Sequence, residues 1–176
     1  LDDMSIHEFL TVMNEEDALV PQRIHDVLPQ IEKAVEKIIE ALKHGGRLFY
    51  VGSGTSGRLG ILDAVECPPT FSTTNEVNGI IAGGQSAFVK AKEGAEDHED
   101  DGQREIMEAG ICDKDVVVGI AASGRTPHTI GALKQANEIG AYTISIACNP
   151  DSEIGKVAKL AIDMNLGPEV ITGSTR

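Results

Sequence analysis

The chain has 176 residues, a length typical of one globular domain. Apolar residues make up 41 % of it and charged residues 24 %, which excludes a disordered or fibrous chain. Acidic residues outnumber basic ones by 28 to 15, so the formal net charge is −13. This charge argues against nucleic-acid binding, which needs clustered Lys and Arg, and it requires that any anionic ligand be held by local donors.

Signals for membranes, secretion and metals are weak in this sequence. No apolar run approaches the roughly 20 residues that a membrane-spanning helix needs, and no basic stretch followed by an apolar one resembles a secretion signal. We therefore expect a cytoplasmic protein without membrane partners. The three cysteines are widely spaced, and the histidines lack ligand-like spacing, so we assign no metal.

The first 46 residues carry a helical pattern. Residues 29–44 predict an amphipathic helix that Gly45-Gly46 ends, and Pro21 predicts the start of a shorter helix before it. The apolar stripe of the longer helix comprises Ile31, Ala34, Val35, Ile38, Ile39 and Leu42. We expect this stripe to be buried; an exposed stripe would instead indicate a dimer contact. The prediction is an N-terminal helical region, residues 1–46, that packs on a domain formed by residues 47–176.

From Arg47 onward, short apolar runs alternate with Gly-rich turns and helical stretches of about ten residues. The apolar runs lie at residues 48–51, 77–82, 116–121, 142–147 and 160–162. The third run is apolar throughout, as in a parallel strand that helices cover on both faces. The alternation predicts an α/β fold with a flavodoxin-like, doubly wound parallel sheet of about five strands.

A Gly-rich segment, GSGTSGR at residues 52–58, follows the first predicted strand and precedes a helix. Glycines let the backbone approach a ligand, and the free N–H groups at a helix start favour an anion. The third glycine of a dinucleotide fingerprint is displaced, and no Walker lysine follows. The candidate phosphate-binding residues are Gly54, Thr55, Ser56 and Gly57, with Ser53 as a candidate lining residue.

A second such segment, ASGRTP at residues 122–127, follows the third predicted strand. In a doubly wound sheet the strand order reverses at the first strand, so the segments after the first and third strands flank one crevice. We predict that Ser56, Ser123 and Thr126 converge there on one phosphate. Ordinary helix capping is the alternative role for the hydroxyls of Ser123 and Thr126, and the two roles are compatible. Further candidates are Gly124, for phosphate binding, and Ser174, as a lining residue.

Two carboxylates are candidates for chemistry, although spacing alone gives neither a catalytic role. Glu66 is predicted to end the helix after the first Gly-rich segment, because the following Cys67-Pro68-Pro69 stops further helix. Glu96 lies in the acidic run 93–101, which predicts a solvated turn or helix start. His128, just after the second segment, is expected at the surface rather than in the wall of the crevice.

Several unusual strings give the chain a family resemblance. RLFYVGSGTSGRLGILDAVECPPTF at residues 47–71 resembles the sugar isomerase (SIS) domain of N-acetylmuramic acid 6-phosphate etherases. The other matching strings are IAGG at 81–84, EGAED at 93–97, GIAASGRTP at 119–127, ACNPDSEIGKVA at 147–158 and GPEVITGSTR at 167–176. The chain has Ser53 where many relatives have Ala, Val65 where Ser is common and His128 where Tyr is usual. The family extends past both ends, so we expect a SIS core truncated at its C-terminus.

The resemblance implies a carbon–oxygen lyase of cell-wall sugar recycling. Such an etherase converts N-acetylmuramic acid 6-phosphate to N-acetylglucosamine 6-phosphate and D-lactate by β-elimination and water addition. It implies that Glu66 handles the proton of the lactate oxygen and that Glu96 removes the proton at carbon 2, with Glu93 and Asp97 as alternative bases. The chemistry needs no cofactor. The family site lies near a homodimer interface, so the isolated fragment is expected to bind sugar phosphate with impaired catalysis.

Two other functions remain open. The first is a non-catalytic sugar-phosphate-binding regulator of the glucokinase regulatory protein type, which has a similar domain. The second is an SIS-type sugar-phosphate isomerase. The pair Glu66 and Glu96 favours the etherase over the regulator, and the string ECPPT argues against a generic isomerase.

Overall fold

A single parallel sheet organises the computed structural model, which describes residues 1–171. The strands are β1 (Leu48–Gly52), β2 (Val77–Ile81), β3 (Val116–Ile120), β4 (Tyr142–Ala147) and β5 (Leu160–Asp163). Their order in the sheet is β2-β1-β3-β4-β5, and every neighbouring pair is parallel. This is the flavodoxin-like order, so the predicted doubly wound sheet is confirmed.

Eight helices lie within residues 1–171. They are α1 (Ile6–Asp17), α2 (Val20–Asp26), α3 (Leu28–Lys43), α4 (Gly54–Phe71), α5 (Ser86–Val89), α6 (Glu99–Glu108), α7 (Pro127–Ile139) and α8 (Glu153–Val157). Pro21 stands at the start of α2, as predicted. None of the helices in this part of the chain combines the length and the apolar character needed to cross a membrane.

The core has two layers, one on each face of the sheet. On one face, Ile106 of α6, Leu133 of α7 and Ile154 of α8 are fully buried in one cluster with strand residues. On the other face, Ala34 of α3 packs with a second cluster of strand residues. The valines of β3 alternate between the two clusters, which confirms that helices cover this strand on both sides.

The apolar stripe of α3 is only partly buried, so its predicted full burial is wrong. Ala34 is buried, and Ile31 and Ile38 pack against the sheet cluster. Val35 and Ile39, by contrast, are 48 % and 45 % exposed. The stripe is wider than the face that the sheet covers, because positions 35, 39 and 42 are rotated away from positions 31, 34 and 38 around the helix. A dimer contact through the exposed part of the stripe stays a prediction.

Helix α4 continues past the residues that were predicted to stop it. Pro68 and Pro69 lie inside the helix, which ends at Phe71, where Ser72 adopts φ 57° and donates its N–H to the carbonyl of Pro68 over 2.9 Å. The prediction that the helix ends at Glu66 is therefore wrong. Each proline removes an N–H donor and crowds the carbonyl four residues earlier, but its fixed φ suits a helix, and the bond from the Ser72 N–H to Pro68 closes the last turn. Glu66 consequently lies within a regular helix and is exposed.

A buried ion pair between Arg47 and Asp115 stabilises the sheet at the edge opposite the carboxyl ends of the strands. Asp115, just before β3, is 1 % exposed and accepts hydrogen bonds from the backbone N–H of Arg47 at 2.8 Å, from Nη2 of Arg47 at 2.8 Å and from the N–H of Cys112 at 2.9 Å. Burial by itself raises the pKa of Asp115. The hydrogen bonds from Arg47 and Cys112 outweigh burial, so the pKa lies below its ordinary value of 3.8.

We predict that Asp115→Ala lowers the free energy of unfolding by about 3–5 kcal/mol at pH 7, because it leaves the Arg47 charge without its partner. The lowered pKa means that the contribution of Asp115 is complete above pH 3.8 and is lost as the pH falls through the lowered pKa. Urea unfolding at pH 7 and at pH values below 3.8 measures both effects.

Glu153→Ala is the matched control, because it removes an exposed ion pair with Lys156 and is expected to change stability by less than about 1 kcal/mol. A wild-type to Asp115→Ala difference that stays constant with pH, or that matches the control, would contradict the role of the buried pair.

Candidate active site

The two Gly-rich segments begin side by side. Strands β1 and β3 are direct neighbours, and their last residues, Gly52 and Ile120, are register partners. The strand order changes direction at this pair, since β2 lies beyond β1 and β4 lies beyond β3. Such a switch point at the carboxyl edge is where doubly wound sheets bind ligands.

The first Gly-rich segment forms a helical turn rather than the predicted loop. Helix α4 begins at Gly54, so Gly54–Gly57 make up its first turn. A Cβ on Gly57 would lie 2.5 Å from the carbonyl oxygen of Gly52, so glycine is needed for the helix to start this close to β1. The unbonded N–H groups of a first turn favour a negatively charged ligand.

The residues at the starts of α4 and α7 leave their hydroxyl groups unused as caps. Ser53 precedes α4, and its Oγ is buried without a hydrogen-bond partner among the described residues. Thr126 precedes α7 and makes no side-chain capping bond. Ser123 differs, because its Oγ accepts the N–H of Arg125 at 3.3 Å. Thr126 therefore does not cap α7 through its side chain, which leaves its hydroxyl available to a ligand.

A cavity of about 330 Å³ joins the start of α4 to the acidic segment before α6. Its lining includes Ser53, Gly54, Thr55, Arg58, Lys92 and Glu96. The structure thus brings one predicted carboxylate, Glu96, to the first predicted phosphate segment. Glu93, an alternative base, lines the same cavity.

The position of Glu96 is tied to the second segment through the backbone. The N–H of His128, in the first turn of α7, donates to the carbonyl oxygen of Glu96 over 3.0 Å. Residues 93–98 form no helix or strand, and α6 starts at Glu99, so the predicted solvated turn followed by a helix start is confirmed. Glu96 therefore lies next to both segments.

Ser123 faces a different cavity from the one that Glu96 lines. This second cavity, of about 350 Å³, lies between the second segment and the turn after β4, and its lining includes Ser123, Arg125 and Asn149. Gly124, at φ 70°, packs so closely on Ser152 that a Cβ would overlap with the serine Cβ. Convergence of Ser56, Ser123 and Thr126 on one phosphate stays a prediction, and Ser174 lies outside the described residues.

The structure does not bring Glu66 to the cavity that Glu96 lines. Twelve residues separate it from Gly54 along α4, which is about 18 Å at 1.5 Å per residue. A single sugar ring cannot bridge that distance. Glu66 shares its helix face with Leu59 and Leu62, both of which are about half exposed.

Two cations of the cavity were missed by the sequence reasoning. Arg58 donates from Nη2 to the carbonyl of Ala87 at 2.7 Å, and Lys92 donates from Nζ to the carbonyl of Gly83 at 2.5 Å. Their positions carried a usable signal. Arg58 directly follows the first Gly-rich turn, and Lys92 directly precedes the acidic segment, in a chain with few basic residues.

The prediction that His128 lies at the surface is wrong. Its side chain is 0 % exposed, and its Nε2 lies 2.8 Å from Oε2 of Glu105 on α6. The partner is 23 residues away in the sequence, so no local pattern predicts the pair. The small and apolar residues that follow, such as Gly131 and Ala132, are the local sequence signal of a buried start of α7.

Comparisons with known proteins show which family the chain is similar to. The model of the glucokinase regulatory protein N-terminal SIS domain matches residues 30–137. The chain is 57 % identical over 177 residues to an N-acetylmuramic acid 6-phosphate etherase of Halalkalibacterium halodurans and 54 % identical over 177 residues to one of Staphylococcus saprophyticus. Both alignments cover all of this chain and 59 % and 60 % of the relatives, so the chain spans under two thirds of their length.

Solved structures share the fold. A phosphoheptose isomerase from Francisella tularensis superposes with a TM-score of 0.73 at 15 % identity, covering 96 % of this chain and 88 % of that chain. One from Neisseria gonorrhoeae gives a TM-score of 0.71 at 17 % identity, covering 94 % and 90 %. At these identities the likeness concerns the fold alone.

We predict that Thr126→Val and Ser123→Ala each weaken binding of a sugar phosphate such as glucosamine 6-phosphate. Losing a hydrogen bond to a charged group is worth about 1.5–3 kcal/mol, which is roughly 10- to 150-fold in affinity. Isothermal titration calorimetry measures the loss, and thermal unfolding checks that the fold is retained.

Thr11→Val is the control, because it removes a threonine hydroxyl on the exposed helix α1. Unchanged affinity in both the Thr126 and Ser123 variants would move the phosphate site elsewhere.

Proposed function

We propose that this chain, which belongs to the family of the glucokinase regulatory protein N-terminal SIS domain, forms the core that carries the active site of an N-acetylmuramic acid 6-phosphate etherase. One observation carries the proposal: Glu96 lines the same cavity as the uncapped first turn of α4. A base and an anion-binding helix start are two of the elements that elimination from a sugar phosphate requires. The names of relatives at 54–57 % identity support it.

The proposed reaction needs two positioned carboxyl groups and no cofactor. With the sugar ring open, the aldehyde at carbon 1 acidifies carbon 2, and Glu96 removes that proton. The electron pair forms a double bond between carbons 2 and 3 while the bond from carbon 3 to the lactyl oxygen breaks, and Glu66 protonates the departing D-lactate. Water then adds across the double bond, which places hydroxyl on carbon 3 and a proton on carbon 2. N-acetylglucosamine 6-phosphate results.

The substrate carries two negative groups, a phosphate and a lactyl carboxylate, and the chain itself has a net charge of −13. Local donors must therefore overcome an unfavourable overall charge. The first turn of α4 suits the phosphate. Lys92 lines the cavity beside the acidic segment, and we assign it to the lactyl carboxylate.

A homodimer completes the proposed site. Glu66 lies about 18 Å along α4 from the start of the helix in its own chain, so we propose that it serves the cavity of a second copy. Three exposed apolar residues, Leu59, Leu62 and Val65, surround it on α4 and suit a subunit contact. The physiological role that follows from this proposal is that of a cytoplasmic enzyme of peptidoglycan recycling.

A non-catalytic sugar-phosphate-binding regulator is the second candidate. The matching family model favours it, because that model describes a domain of the glucokinase regulatory protein. Incubating the full-length protein with N-acetylmuramic acid 6-phosphate and assaying D-lactate separates the two functions. Release of D-lactate supports the etherase, whereas binding without release supports the regulator.

We predict different effects for the two glutamates in the full-length protein. Glu66→Gln stops D-lactate release yet allows exchange of the carbon 2 proton with solvent deuterium, because the base is intact. Glu96→Gln suppresses exchange and release together. Each loss is expected to reach roughly 10²–10⁴-fold, the usual contribution of a positioned acid or base. Mass spectrometry of recovered substrate follows exchange, and an enzymatic assay follows D-lactate.

Glu93→Gln and Asp97→Asn serve as controls for the base and are expected to retain exchange. Normal turnover in Glu66→Gln or Glu96→Gln would remove that residue from the mechanism. Loss of exchange in Glu93→Gln or Asp97→Asn, with Glu96→Gln active, would transfer the role of base to that neighbour.

We predict that Lys92→Met weakens binding of N-acetylmuramic acid 6-phosphate by about 1 kcal/mol, roughly fivefold, because it removes an exposed charge pair. Affinity for N-acetylglucosamine 6-phosphate, which lacks the carboxylate, stays unchanged. The substrate KM and the inhibition constant of the product measure the two affinities.

Lys90→Met, two residues earlier and also exposed, is the matched control and changes neither affinity. Equal weakening of substrate and product by Lys92→Met would contradict pairing with the lactyl carboxylate.

A further inference from the structure

A buried histidine–glutamate pair joins α6 to α7 beside the candidate base. The imidazole of His128 is 0 % exposed and the side chain of Glu105 is 16 % exposed. Their atoms Nε2 and Oε2 lie 2.8 Å apart. The hydrogen bond forms in the imidazole tautomer that carries its proton on Nε2, with the carboxylate oxygen as acceptor. The proposed mechanism gives His128 and Glu105 no role in substrate binding or proton transfer.

The same residue holds Glu96 through its backbone. The N–H of His128 donates to the carbonyl oxygen of Glu96 over 3.0 Å, three residues before α6 begins at Glu99. The side chain of His128 makes a hydrogen bond to Glu105 of α6, while its backbone N–H makes one to the segment that leads into α6. The segment from Glu96 to the middle of α6 is thus fixed to one turn of α7 at both ends.

Helices α6 and α7 pack so closely that a displacement of one helix displaces the other. A Cβ on Gly102 of α6 would overlap with the carbonyl oxygen of His128, and a Cβ on Gly131 of α7 would overlap with the carbonyl oxygen of Glu99. Both helices therefore contact backbone to backbone, at His128 and again at Gly131, three residues later on α7. Packing of this kind has little free space, so a shift of the first turn of α7 moves the segment that carries Glu96.

We propose that His128 is a positioning residue for the base: its hydrogen bond to Glu105 fixes the first turn of α7, and that turn fixes Glu96 beside the first turn of α4. This inference rests on the proposed function. Misplacing a catalytic group by about 1 Å lowers a rate by as much as 10²-fold while leaving remote binding contacts intact. A positioning role therefore affects kcat and not KM.

The test compares His128→Leu with His128→Gln in the full-length protein. His128→Leu removes the donor to Glu105, and we expect kcat for D-lactate release to fall roughly 10- to 100-fold with KM nearly unchanged. Deuterium exchange at carbon 2 is expected to fall by the same factor. His128→Gln keeps a side-chain N–H donor and restores most of the rate.

Glu105→Leu breaks the same hydrogen bond from the other helix and is expected to reproduce the His128→Leu kinetics, so the test does not depend on the folding of one variant. Arg104→Gln is the matched control, because Arg104 neighbours Glu105 on α6 and pairs with Asp101 on the same helix. It leaves kcat unchanged.

The outcomes separate this inference from the function on which it rests. If the wild type releases D-lactate, Glu96→Gln is inactive and both leucine variants have wild-type kcat, the positioning role is overturned and the etherase function stands. A rise in KM at constant kcat, or equal losses in His128→Leu and His128→Gln, overturns it as well. If the wild type neither exchanges carbon 2 nor releases D-lactate, the proposed function fails and the inference fails with it.

Discussion

The parallel register between β1 and β3 is the constraint on which the candidate site depends. Gly52 and Ile120 end their strands as partners, so two helices start from adjacent points at one edge of the sheet. The first turn of α4 directs unbonded N–H groups to that edge, whereas α7 begins with Pro127, which has no N–H, and with His128, whose N–H donates to the carbonyl of Glu96. A chain with a net charge of −13 can bind an anion there, because the helix starts provide positive potential that its composition lacks.

The sheet and its switch point could be predicted because local patterns carry them. The apolar runs around Val117 and Ile144 end in Gly-rich or polar turns, and this alternation can be recognised in the sequence alone. The course of α4 through Pro68 and Pro69 could not be read in the same way, since proline normally ends a helix. The burial of His128 was missed because Glu105, its partner, is distant in sequence.

The continuity of α4 determines how the site must be assembled. Had the helix ended one or two turns before Glu66, that residue could have folded back towards its own phosphate segment. A regular helix through Phe71 instead holds Glu66 far from that segment and beside the exposed Leu59 and Leu62. The family resemblance put both glutamates in one mechanism, and the length of α4 is the reason we propose that they come from different copies of the chain.

We propose that one site combines Glu96 of one copy with Glu66 of another. Mixing full-length Glu66→Gln and Glu96→Gln proteins, after a cycle of subunit dissociation and reassociation, tests this shared site. Random pairing makes about half of the dimers mixed, and each mixed dimer holds one intact site, so D-lactate release returns to roughly a quarter of the wild-type rate. A mixture as inactive as its two components would contradict the shared site.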